Sequence, residues 1–124
     1  MIAFIIVGGI IGTLARYFLQ GSIQQWSGVV TFPVGTLAIN VLGSFVIGFV
    51  IRLATGSTII SPDVRAGLTV GFCGAFTTMS TFSYESVKLM GDGEYLFAAL
   101  YFASTIAGCF AAVMVGTRVA GAML

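Results

Sequence analysis

Five of the seven residues from Thr77 to Ser83 carry hydroxyls, although the chain on either side is strongly apolar. Gly71-Phe72-Cys73-Gly74-Ala75-Phe76 leads into this run. Gly, Ser and Thr weaken a helix or compete for its backbone groups, so a break is the expected conformation here. Within a membrane, freed backbone must be buried in protein or line a wet cavity, where its carbonyls can hold a cation. The alternative is an unbroken helix whose hydroxyls bond back to its own carbonyls. Met79 and Phe82 are spaced to share one helical face, with Thr78 and Thr81 on an adjacent one. The positive edge of an aromatic ring can point at an anion while excluding water and cations. Hydroxyls of Thr78, Ser80 and Thr81, with the amide of Asn40, add hydrogen-bond donors. Together they would form a dry, donor-lined path for a small anion. Thr105, with Ser104 beside it, would add hydroxyls from the last apolar stretch. Asn40 also has a plainer reading, an interhelical hydrogen bond that locks packing.

The elements that must position these residues follow from composition. Apolar residues make up 58% of the 124 and charged residues 7%, with a mean hydropathy of +1.10. A soluble domain carries about a quarter charged residues, so an outer surface this poor in charge suits lipid. A bilayer core of roughly 30 Å needs about 20 apolar residues of helix. Four stretches qualify, at about 2–19, 33–53, 64–90 and 95–120, in one domain over 1–124. The first lacks a basic lead and an A-x-A-like site, and reads as a span and not a signal peptide. A polar linker from Gln20 to Gly28 carries Trp26, whose indole suits the headgroup level. Pro33 and Pro62-Asp63 suit helix starts, and Gly91-Asp92-Gly93 a turn. Small residues recur four apart at Gly8/Gly12, Ser44/Gly48, Gly67/Gly71 and Gly108/Ala112/Gly116, which predicts close helix packing.

Several function classes drop out. The net charge of +1, with no Lys/Arg cluster, argues against nucleic-acid binding. With no histidine there is no zinc site of the usual kind and no Cys-His or Ser-His pair, so an enzyme is not expected. Cys73 and Cys109 read as small packing residues, with a disulfide as the alternative on paper. No GxxxxGK[ST] loop is present to couple ATP. A proton-coupled multidrug exporter needs a membrane-embedded carboxylate. The first span has none, and Glu85 lies near the end of the third. A non-transporting membrane assembly protein would not need Asn40 and the Thr/Ser stretch together. Four spans put Arg52, Arg65 and Arg118 on one side and Arg16 and Lys88 on the other. So small a bias fits insertion both ways round, as in an antiparallel pair, or one weakly fixed orientation.

At these residues the chain resembles the fluoride channel family, Fluc or CrcB, over essentially its whole length. The matching segments are Gly12-Thr-Leu-Ala-Arg16, Gly35-Thr36-Leu-Ala-Ile-Asn40, Gly71-Phe72-Cys73-Gly74 and Thr77-Thr78-Met79-Ser80-Thr81-Phe82-Ser83, with Glu85 beyond. The resemblance implies an all-α inner-membrane protein of four transmembrane helices, its third helix broken mid-membrane, paired as an antiparallel dual-topology dimer. It implies passive, selective fluoride export through pores lined by Asn40, Thr78, Met79, Ser80, Thr81, Phe82, Tyr101 and Thr105, with Arg16 at the vestibule. It also implies a structural sodium ion at the dimer interface, held by the backbone carbonyls of Gly74 and Thr77. Met79 stands where the family usually has a phenylalanine, and Cys109 where other members often have a serine. Since the family includes paired non-identical subunits, a homologous second chain is open as partner beside a homodimer.

Overall fold

The computed structural model describes residues 1–124 and is entirely helical. Helix α1 (Ile2–Ser27) outlasts the expected span, because the residues assigned to a linker form its last two turns. The reason is tertiary: Gln20 Nε2 donates to Thr36 Oγ1 at 2.9 Å, and Gln24 Nε2 donates to the Val29 and Phe32 carbonyls. Side-chain partners across the turn thus hold polar residues in helix. The helix stops at Gly28, in the left-handed conformation at φ 67°, which glycine adopts without a steric penalty.

Helix α2 (Val34–Gly56) follows Pro33, and its Gly35 N–H donates to Gln24 Oε1 of α1 at 2.9 Å. Helix α3 (Pro62–Ala66) starts with Pro62 in its first turn and the Ser61 hydroxyl accepting from the Val64 N–H at 3.3 Å. The chain then widens into a π-helical segment, Gly67–Cys73, and tightens into α4 (Gly74–Phe76). Thr77 and Thr78 have extended backbone, with ψ of 157° and 114°. Helix α5 (Met79–Gly91) restarts from Thr78, and α6 (Tyr95–Ala122) closes the chain. The stretch expected as one span over 64–90 is therefore a series of short segments. Only α1, α2 and α6 are single helices long and apolar enough to cross a membrane.

Two seams hold the helices. Along α1, Gly8 backs onto the Gly67 carbonyl and Gly12 onto that of Phe72, so a methyl group at either would overlap backbone. Between α2 and α6, Gly48 sits against the Val113 carbonyl and Gly116 against that of Phe45. Close backbone approach is a main source of helix attraction in lipid, where apolar side chains gain little by leaving the tails. The opposite face of α1 exposes Ile2, Ile6, Ile10, Leu14 and Phe18, and Gly12 is its one buried residue. That face suits acyl chains. A small core of Phe82, Leu89, Ala98 and Tyr101, flanked by Phe32 and Leu37, ties α5 to α6.

Candidate functional site

Helical bonding fails at Phe76 because two donors turn aside. The Thr78 N–H, which would close on the Gly74 carbonyl, donates instead to Asn40 Oδ1 at 2.8 Å. Asn40 Nδ2 returns to the Thr78 carbonyl at 3.3 Å, so one amide side chain satisfies both backbone groups of one residue. The Thr81 N–H, which would close on the Thr77 carbonyl, donates to Thr78 Oγ1 at 3.2 Å and makes Thr78 the cap of α5. The carbonyls of Gly74 and Thr77 thereby lose their helical donors. Arg16 Nε takes the carbonyl between them in sequence, that of Ala75, at 3.0 Å. A guanidinium at a helix C-terminus also answers the negative end of the dipole. Some hydroxyls do bond back to their own helix, as Thr77 Oγ1 does to the Cys73 carbonyl at 2.8 Å.

Gly74, Thr77, Thr78, Met79 and Phe82 meet Asn40 of α2 and Thr105 of α6 around a cavity of about 400 Å³. Thr105 Oγ1 is buried in this wall with no hydrogen-bond partner. An unsatisfied buried hydroxyl costs about 1–3 kcal/mol, which a polar occupant would offset. Met79 is 69% exposed and Phe82 6%, so the two sulfur- and ring-bearing positions are unlike in packing. Ser80 and Thr81 lie off the wall and reach it through Thr78: Thr78 Oγ1 donates to Thr81 Oγ1 at 3.1 Å and lies 3.3 Å from Ser80 Oγ. Tyr101 also stands behind the wall, tilted against Phe82 with ring centroids 5.0 Å apart, and its hydroxyl donates to Glu85 Oε1 at 3.2 Å. Ser104 turns away and bonds to the Leu100 carbonyl of its own helix.

The walls of a second, larger cavity of about 1,070 Å³ include Arg16, Gln20, Gln24, Thr36, Glu85 and Lys88. Arg16 thus lines the wide space and, through its bond to Ala75, touches the break beside the narrow one. Gln20 and Gln24, which the sequence reading assigns to a linker, line this second cavity. Their signal was legible: Arg16, Gln20 and Gln24 repeat every four residues, one face of a continuing helix. Ser44, Cys73 and Cys109 join the wall of the smaller cavity without having been expected there.

The sequence profile described as "CrcB-like protein, Camphor Resistance (CrcB)" matches residues 3–117, a span that holds every residue of both cavities. The chain belongs to this family. Among CrcB-like relatives, it is 49% identical over 113 residues to the "Fluoride-specific ion channel FluC" of Chlorobaculum tepidum, covering 91% of this chain and 88% of that one. The FluC of Geobacter sulfurreducens is 45% identical over 116 residues, covering 94% and 93%. That of Geotalea daltonii is 40% identical over 119 residues, covering 96% and 95%. With three membrane-length apolar helices and channel relatives along nearly its full length, this CrcB-like chain is a multi-pass membrane protein.

Proposed function

We infer that the protein is a fluoride-selective channel that lets fluoride leave the cell passively, down its own electrochemical gradient. The observation that carries this reading is the cavity wall in which Thr105 Oγ1 has no partner while Asn40 holds the extended Thr78 in place. Fluoride holds its hydration shell tightly, so a conducting site must replace water with donors already in position. Thr105 offers a free hydroxyl, and a short relay of hydroxyls runs from Thr78 on the wall to Ser80 and Thr81 behind it. Phe82 and Met79 exclude water, Phe82 by a ring edge and Met79 by a flexible thioether with a weakly positive methyl. Tyr101 and Glu85 continue the polar route toward the vestibule, where Arg16 raises the local anion concentration. Chloride is larger and a weaker acceptor, and a narrow donor-lined path disfavours it.

The reading extends to assembly. The segmented stretch 62–91 is the third of four spans, its extended Thr77–Thr78 lying at mid-membrane depth. Two chains pair antiparallel in the inner membrane, each inserted opposite to the other, which suits the small Lys/Arg bias. A structural sodium ion fits the interface on donor chemistry: the Gly74 and Thr77 carbonyls are hard oxygen donors without helical partners. When bound, the ion would neutralise those carbonyl dipoles; Asn40 and Thr78 keep them free of helical bonds.

Purified protein in liposomes, with fluoride and chloride efflux followed by ion electrode, tests the reading. Fluoride should leave far faster than from empty vesicles, and chloride should stay. Fluoride efflux no faster than from empty vesicles would sink the channel; chloride leaving equally fast would refute selectivity.

A further inference from the structure

Three sulfur-bearing residues from three separate elements line the smaller cavity. Cys73 ends the π segment, Met79 begins α5, and Cys109 lies one turn beyond Thr105 on α6. Both cysteines are free thiols, Cys73 fully buried and Cys109 partly so. No carboxylate lines this wall, so its hard donors are amide, hydroxyl and carbonyl oxygens. A cavity of about 400 Å³ lies toward the lower end of the roughly 300–1,000 Å³ range of small-ligand sites. Thiolate and thioether donors select soft monovalent cations such as Cu⁺ and Ag⁺, which accept few ligands.

We propose that Cys73, Cys109 and Met79 form a soft-cation site in this cavity, and that an ion bound there closes the path to fluoride. Charge sets the chemistry. A cation in these largely apolar surroundings is costly unless neutralised, and one thiolate neutralises a monovalent ion. Cys109, the more accessible thiol, forms the metal–sulfur bond and gives its proton to water; no atom changes oxidation state. Cys73 and Met79 complete the set as neutral sulfur donors. The bound ion then occupies the space beside Thr105 and Phe82 through which an anion would pass. The closing of the path rests on the channel reading above, whereas the binding does not.

The test uses purified protein in detergent with Ag⁺ as nitrate, in chloride-free buffer. Silver retained after gel filtration is measured by elemental analysis, and released protons by a pH indicator. Wild type should retain about one Ag⁺ per chain and release about one proton per ion. C73S and C109S should each bind at least about 10-fold more weakly, and M79L more weakly by a smaller factor. If C73S does not elute as folded protein, C109S and M79L decide. Equal retention by the single variants and wild type would mean that none of the three residues is needed and overturn the site, as would equal retention by C73S/C109S; two ions in wild type and one in each cysteine variant would mean independent thiols and overturn it too. In liposomes, Ag⁺ should lower fluoride efflux to that of empty vesicles, and thiosulfate should restore it. Retained silver with unchanged efflux would overturn the closing. Absent efflux without silver would instead count against the channel reading, leaving silver retention to judge the site.

Discussion

The α1 seam and the cavity at Thr77–Thr78 use opposite means in one small protein. Along the seam, Gly8 and Gly12 let backbone touch backbone, and no side chain intervenes. At the cavity, side chains take over: Asn40 bonds both backbone groups of Thr78, Thr78 caps the next helix, and Thr105 is left with an unused hydroxyl. The seam is satisfied and the cavity is not. A protein can keep an unsatisfied polar group in an apolar setting only where neighbouring packing is stiff enough to prevent collapse onto it. The glycines are thus the scaffold's contribution and the unmet donor is the site's.

The sharpest way to break this division is at Gly12. A Gly12→Val side chain would collide with the Phe72 backbone, and backbone cannot swing aside as a side-chain tip can. We expect a loss of about 3 kcal/mol or more, seen as aggregation on gel filtration or a sharply lowered Tm in detergent. Survival with an unchanged Tm would mean the seam is not a scaffold. Next comes Asn40→Ala, which strands the Thr78 N–H at a cost of about 1–3 kcal/mol. Because the same amide holds the site's backbone, fluoride efflux should fall roughly 10-fold, the factor that about 1.4 kcal/mol commands. An unaltered rate in a folded variant would remove Asn40 from the site.

Thr105→Val separates stability from function, since it deletes a hydroxyl that makes no hydrogen bond. Stability should hold within about 0.5 kcal/mol or rise slightly, while fluoride efflux drops several-fold. A fall in Tm with full conduction would reverse the roles assigned to the two regions. The smallest effect belongs to Gly21→Ala, on the same helix as Gly12 but with open space around the added carbon. It should stabilise the protein by about 0.5–1 kcal/mol through helix propensity alone. Chemical denaturation in detergent would detect the gain; a loss would show that α1 is constrained on this face too.

The site was legible in the sequence to the extent that its residues were out of place. Hydroxyls crowded into an apolar stretch, and Asn40 within another, pointed to the cavity because their types conflict with lipid. Placement on the wall was not readable. Ser80 and Thr81 have the same composition signal as Thr78, yet only Thr78 faces the cavity, since its extended backbone turns it there. Ser104 adjoins Thr105 in sequence and points elsewhere, as neighbours on a helix must. The end of α1 lies beyond the expected span because Gln20 and Gln24 look like a linker until their partners at the start of α2 are known.

By itself, the sequence determined an all-helical membrane chain and the stripes of small residues that let helices meet. Those are consequences of composition and of spacing along one helix, and no partner is needed to read them. The tertiary structure decided which backbone donors left their own helix. Asn40 and Thr78 are 38 residues apart, and only their meeting frees the Gly74 carbonyl. A hydrogen bond between distant residues depends on how the helices pack, and helix periodicity cannot set that.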